Sequence, residues 1–415
     1  MIQYTNFTLH NGLQCIVNTD LTTPFVAMNT LYKVGSKNEN PDRTGFAHLF
    51  EHLMFGGSKH IPDYDAALQL VGGENNAFTN TDITNYYLTL PKENRETGFW
   101  LESDRMLELD FSQRSLDIQK NVVIEEFKQR YLNRPYGDAY LLLRPLAYKI
   151  HPYQWATIGK NIEHIEDATL TDVREFFYAH YAPNNAILTF SGNISAKEAE
   201  CLAHKWYGDI PARTLYSRTI AQEPPQTEKR TLSVERDVPT NAIYKAFHMY
   251  NRLHPDYYAC DMLSDVLSNG KSARLYVSLV QNQKLFSEIN AYITGEDHAG
   301  LLIICGNVMP GVSMKTAETA IYAELHKLQR EALREYELQK VKNKIESHII
   351  FNETTILNKA MNMAKFAQLG DVNLINTEIS KYQNVSVTDF QRIAGEIFRE
   401  SNDSTLYYYA KNYKQ

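Results

Sequence analysis

The chain has 415 residues, 43% of them hydrophobic and 22% charged, and a net charge of −7. That length exceeds what one core supports and suits two domains of about 200 residues each, while the acidic balance argues against a nucleic-acid or anionic-membrane surface. No apolar run approaches the ~18 residues of a membrane span, and the first residues carry neither a basic head nor an apolar signal core, so the chain reads as cytoplasmic. Cys15, Cys201, Cys260 and Cys305 lie far apart without a Cys-x-x-Cys pair. In a reducing compartment they read as small buried hydrophobes, not as a thiol metal site.

The N-terminus reads as a hairpin. Phe7 and Leu9 alternate along one strand, Asn11-Gly12 supplies the positive φ of a tight turn, and Leu13, Cys15 and Val17 return along the other. Residues 25–34 form a third strand, and a polar loop over 36–43 leads into a helix within 44–57, Thr-Gly-Phe-Ala-His-Leu-Phe-Glu-His-Leu-Met-Phe-Gly-Gly.

In that helix Phe46, Ala47, Leu49, Phe50, Leu53, Met54 and Phe55 surround His48, Glu51 and His52 on nearly every side. A helix buried almost all round does not carry two imidazoles and a carboxylate without partners for them. His48 and His52 lie one turn apart with Glu51 between them on the same face. The pentad His-x-x-Glu-His is the thermolysin-type His-Glu-x-x-His reversed. Either order offers two imidazoles to one Zn²⁺ and leaves a carboxylate beside the water-filled position to act as general base. A surface helix with two solvated histidines is the plain alternative, and the apolar flanks weigh against it.

A short helix follows over 63–70, closed by Gly72-Gly73, and then a second hairpin over 75–79 and 84–90, the latter rich in Thr and Tyr. Helices are expected at 93–109, 116–132 and 139–148, bounded by Pro91, Pro135 and His151-Pro152. Further on come a helix over 171–180 capped by Thr169 or Thr171, a buried strand over 185–191 and a helix over 196–206. Hairpins mixed with helices in this way describe an α+β domain.

Residues 211–229 turn polar and contain Pro224-Pro225, which divides the chain into a first domain at 1–212, a linker at 213–229 and a second domain at 230–415. The second half resembles the first. Thr171-Asp172-Val173 recurs as Thr388-Asp389-Phe390, 217 residues later, and the same offset carries the strand around Val26 onto Ile243. It carries His48, Glu51 and His52 onto Asp265, Ser268 and Asn269, so the metal motif belongs to the first copy alone.

Two histidines at a zinc site usually leave a carboxylate as third ligand. In the helix over 116–132, Glu125-Glu126 interrupts Val122, Val123, Ile124 and Phe127. Glu126 shares a face with Val122, Val123 and Phe127, whereas Glu125 points roughly 100° away. Glu126 is the expected ligand; two solvated acids on an exposed stripe are the alternative.

His48-Leu-Phe-Glu51-His52, Gly72-Gly73 leading to Asn76-Ala77-Phe78-Thr79, and Val122-Val123-Ile124-Glu125-Glu126 occur here in the order and spacing of the pitrilysin superfamily, which the chain resembles over its whole length. That superfamily includes insulin-degrading enzyme and the mitochondrial processing peptidase, and this chain is most similar to its bacterial two-domain members. The resemblance implies a zinc metallopeptidase built from two homologous α+β domains that form half of a clamshell chamber admitting short or unfolded peptides. It assigns zinc to His48, His52 and Glu126 and the base to Glu51. It also makes the strand of Asn76, Ala77 and Phe78 the edge onto which a substrate peptide adds.

Two departures from the family pattern involve three positions. The acid usually found seven residues before the third ligand is Gln119 here, an amide that can still hydrogen-bond a ligand or its neighbour. The Arg and Tyr that help hold the substrate carbonyl in the family's second domain are replaced by Gln281 and Ser287. The expectation is therefore a homologous partner subunit that supplies the Arg and Tyr, with a homodimer as the other arrangement. A non-catalytic scaffold and a peptide-capturing subunit are the remaining readings.

Overall fold

The computed structural model describes residues 1–215 and 219–411; residues 216–218 of the expected linker and 412–415 of the second domain lie outside these. Two compact units emerge. The first comprises Met1–Lys128, Trp155–Ile220 and Ile350–Thr377, the second Gln129–Gln154, Ala221–Ile349 and Glu378–Gln415.

The first unit holds a six-stranded sheet of β1 (Thr5–Thr8), β2 (Gln14–Thr19), β3 (Phe25–Tyr32), β4 (Glu74–Thr79), β5 (Thr84–Pro91) and β6 (Ala186–Gly192), ordered β1-β2-β6-β3-β5-β4. The opening hairpin pairs Phe7 with Cys15, and Gly12 takes φ +86° in its turn. Every residue of β6 is buried. Both faces of the sheet are covered, so the usual inside–outside alternation is lost at its centre. On one face Phe99 stacks on Phe190 at 4.8 Å; on the other Ile16, Leu31 and Ile187 pack with Met363 and Ala364.

The second unit holds β7 (Arg230–Arg236), β8 (Ala242–His248), β9 (Phe286–Ile293), β10 (Leu301–Val308) and β11 (Asp403–Ala410), ordered β7-β11-β8-β10-β9. Duplication is visible strand by strand. β2–β6 and β7–β11 are the parallel pairs, and every other pairing in both sheets is antiparallel. An offset of 217 carries the first residues of β3, β5 and β6 onto those of β8, β10 and β11, and the helix Leu170–His180 onto Val387–Ile397. Even the capping boxes correspond, Thr169 with Asp172 in one copy and Ser386 with Asp389 in the other.

The units do not follow the contiguous division that Pro224-Pro225 suggests. The helix Ile356–Gln368, late in the chain, covers β6 and β3, and Thr189 Oγ1 donates to the Ala360 carbonyl at 2.8 Å. Its 217-residue counterpart, Ala139–Ala147, packs on β11, β8 and β7. Each half thus lends one helix to the other half's sheet. An amphipathic helix is held by the apolar face it covers, and nearness in sequence does not decide which sheet provides it.

Helices in the first unit include α1 (Phe46–Leu53), α2 (Tyr64–Leu70), α3 (Arg95–Leu107) and α4 (Gln113–Phe127). Asp63 caps α2 by accepting from the Ala66 amide, and α4 gives way at Lys128–Leu132 to a π-helical turn that the expected long helix did not include. Cys15 and Cys260 are buried as expected; Cys201 is exposed and Cys305 partly so, because Cys201 sits on the solvent side of its amphipathic helix. Among the described residues no helix is long and apolar enough to cross a membrane.

Arg105 on α3 is only 1% exposed and pairs with Glu102, which also accepts from Thr30 and Tyr64 hydroxyls. Its guanidinium lies 4.3 Å from the Tyr86 ring centre and 4.7 Å from that of Tyr64. Breaking a buried pair by removing one partner strands the other charge. Arg105→Met is therefore expected to destabilise the protein by about 3–5 kcal/mol. Equilibrium urea unfolding checks this, and a loss below about 1 kcal/mol would show that the pair is hydrated in solution.

Candidate metal centre

α1 is short, and its sequence settles which face it shows. Phe46, Ala47, Leu49, Phe50 and Leu53 are buried, while His48, Glu51 and His52 alone among its residues keep partial solvent access. Phe50 anchors the buried side, its ring 4.8 Å from Phe176 and stacked on Tyr181 at 5.2 Å. Tyr86, noted in the sequence only as part of a Thr- and Tyr-rich strand, aims its hydroxyl at the Phe50 carbonyl, 3.4 Å away. Burial holds the Tyr86 phenol well above its ordinary pKa, so it stays neutral and available as a donor.

The other side of the centre comes from α4, whose Leu116, Val123, Ile124 and Phe127 are buried. Glu126, next to that stripe, is partly buried, whereas the Glu125 side chain is 60% exposed and paired with Lys128 at 2.7 Å. Val122 does not join the packed face and is 45% exposed. It lies one turn before Glu126, on the edge of the stripe that Glu126 also occupies.

His48 Nε2 lies 3.7 Å and His52 Nε2 3.5 Å from Glu126 Oε2, and the ligand atoms of the three all fall within 4.8 Å of one another. The two imidazoles stand 4.9 Å apart between ring centres at 73°. These separations exceed a charge-assisted hydrogen bond of about 2.8 Å. Donors bound at about 2.1 Å in a tetrahedron stand about 3.4 Å apart, close to the distances found. Two imidazole nitrogens and one carboxylate oxygen are also a donor set of the catalytic-zinc type, with a fourth position left open. The residues therefore fit a zinc ion. Glu51, one residue before His52, lies on the same partly accessible face of α1.

Of the other expected residues, Gln119 lies two turns before Glu126 on α4, its amide nitrogen 3.9 Å from where a side chain on Gly56 would begin. Asn76, Ala77 and Phe78 lie on β4, at the end of the strand order and paired only with β5, opposite Tyr87, Tyr86 and Asn85. Asn76 and Phe78 are exposed and Ala77 half-buried. Gln281 belongs to the second unit, exposed in the π-helical segment Tyr276–Asn282, and Ser287 is exposed on β9. The counterparts of the histidines and Glu51 lie in or just after the helix Tyr257–Ser268: Asp265, Ser268 and its C-cap Asn269.

A family model described as insulinase (peptidase family M16) matches residues 15–136, and one described as peptidase M16 inactive domain matches residues 167–345. The zinc protease PqqE of Helicobacter pylori is 29% identical over 414 residues, 98% of this chain and 92% of that protein. The uncharacterized zinc protease YmxG of Bacillus subtilis is 24% identical over 400 residues, 95% of each. A crystal structure of a protease from Helicobacter pylori superposes with a TM-score of 0.92 at 28% identity, covering 98% of this chain and 100% of the other. His48, Glu51, His52 and Glu126 all fall in the stretch matched by the insulinase model, and the chain belongs to the M16 peptidase family.

Proposed function

We propose that this chain is the zinc-bearing subunit of a two-chain endopeptidase that cleaves short or unfolded peptides within an enclosed chamber. The observation that carries this reading is the approach of His48, His52 and Glu126 to within 4.8 Å of one another, beside a partly accessible Glu51. Zinc, when bound, supplies a Lewis acid that polarises the scissile carbonyl and acidifies a water molecule. His48 and His52 offer neutral imidazoles and Glu126 a carboxylate. Glu51 stays outside this donor set, takes the proton from the attacking water and passes it to the leaving amine nitrogen.

β4 suits the substrate because an edge strand presents unpaired backbone amides and carbonyls. A peptide that adds along Asn76, Ala77 and Phe78 is held through its main chain with little regard for its sequence. Gln119 steadies the α4 side of the centre in place of the family's acid. The four free cysteines fit a reducing compartment, and a cytoplasmic location is part of the reading.

Gln281 and Ser287 favour a partner. Each missing donor to a developing oxyanion costs about 10²–10³ in rate, and neither residue brings the charge of an Arg. The purified chain, zinc-loaded, is expected to turn over a quenched unstructured peptide feebly. Activity should rise by about 10² or more when a homologous chain carrying the Arg and Tyr is added, and a chelator should abolish it until zinc is restored. Robust turnover by the homogeneous chain, unchanged by the second one, would sink the two-chain reading. Chelator-resistant turnover would sink the zinc reading.

A further inference from the structure

α1 has a difficult beginning. A helix start leaves amides without intrahelical partners, and the usual remedy is a Ser, Thr, Asp or Asn side chain at the N-cap. The N-cap here is Gly45 at φ +90°, with no side-chain cap hydrogen bond. A side chain on Gly45 would begin 2.7 Å from the Ile158 carbonyl oxygen and 2.8 Å from Ile165 Cδ1, so a local cap is sterically closed.

Glu39, six residues upstream and only 1% exposed, fills the gap. Its Oε2 accepts from the Gly45 amide at 2.9 Å and its Oε1 from the Ala47 amide at 2.8 Å, with the Phe46 amide also hydrogen-bonded to the carboxylate. Trp155 Nε1 completes the set, donating to Oε2 at 3.1 Å and to the Ser36 carbonyl at 2.9 Å. Burial pushes the Glu39 carboxyl up to about 8, and the donors oppose that shift.

His48 follows Ala47 directly and lies in the first turn of a helix of eight residues. Isolated helices of that length are marginal, and their ends fray first. Zinc tolerates donor displacements of only about 0.2 Å. We propose that Glu39 is a positioning residue of the metal centre: by clamping the amides from Gly45 to Ala47 it fixes the phase of α1 and so aims His48 at the point shared with His52 and Glu126. This rests on the zinc reading above.

The test is metal binding by the full chain. In Glu39→Gln one oxygen is replaced by an NH₂ group that faces backbone donors, so at least one clamp is lost. Zinc affinity, from competition with a chromophoric chelator, should fall by about 10- to 100-fold, and the visible bands of the Co²⁺-substituted protein should shift while far-UV circular dichroism is retained. Trp155→Phe removes a donor but leaves the amide clamp, and should bind zinc within about threefold of wild type. A role in stability alone would lower Tm without moving the Co²⁺ bands. A folded Glu39→Gln protein with wild-type affinity and spectrum overturns the proposal. Should that variant not fold, Glu39→Asp decides: it keeps the carboxyl group on a shorter arm, so altered Co²⁺ bands support positioning, whereas wild-type bands, or failure of this variant to fold too, overturn it. Failure of the wild-type chain to bind zinc or Co²⁺ would refute the metal reading itself.

Discussion

Glu51→Gln is expected to keep the fold and bound zinc and to lose peptide hydrolysis by about 10²–10⁴ in kcat, the range a positioned general base contributes. Size and shape are preserved, but an amide cannot accept the proton of the attacking water. The charge removed is not one of the three donors that lie within 4.8 Å of one another, so zinc stoichiometry should stay near one per chain. Metal analysis and steady-state kinetics on the same preparation separate the two roles. Cleavage near the wild-type rate would place the base elsewhere, and loss of zinc would make Glu51 a ligand.

Glu126→Gln is the second large effect and moves the other quantity. Replacing a ligating carboxylate by an amide removes the anionic donor, so zinc affinity should drop by more than the 10- to 100-fold typical when an outer hydrogen-bond partner is lost. Activity should fall in parallel at low zinc and recover in part as zinc is raised. Glu125→Gln is the matched control. The Glu125 side chain is 60% exposed and pairs with Lys128, an exposed ion pair contributing at most about 1 kcal/mol. It should bind zinc as wild type does, and equal losses in the two variants would mean that α4 is rotated from the position described.

These expectations were legible to different depths. The face of α1 that carries His48, Glu51 and His52 could be read because its apolar neighbours occupy every other side. Choosing Glu126 over Glu125 needed only helical periodicity, yet the same periodicity placed Val122 in the core, where it is not. A helix stripe has a boundary, and spacing alone does not say on which side a residue at that boundary falls. Glu39 escaped notice. It stands in a polar loop among Ser36, Lys37 and Asn38, and its function arises from a glycine that cannot carry its own cap and a tryptophan 116 positions away.

The sequence by itself determined local and repeated features: most helices and strands of the first half within a few residues, the 217-residue echo and the restriction of the metal motif to the first copy. Those follow from backbone propensity, capping and hydrophobic period, which act over one or two turns. Only the tertiary structure decided which sheet each helix covers. Ile356–Gln368 covers β6 and β3 and Ala139–Ala147 covers β11, β8 and β7, an exchange between halves that side-chain packing across long stretches of chain settles. The convergence of Glu126 with two histidines more than 70 positions earlier is of the same kind, because it depends on how α4 packs against α1. Local rules say which residues face inward; the packing of whole elements says what they meet there.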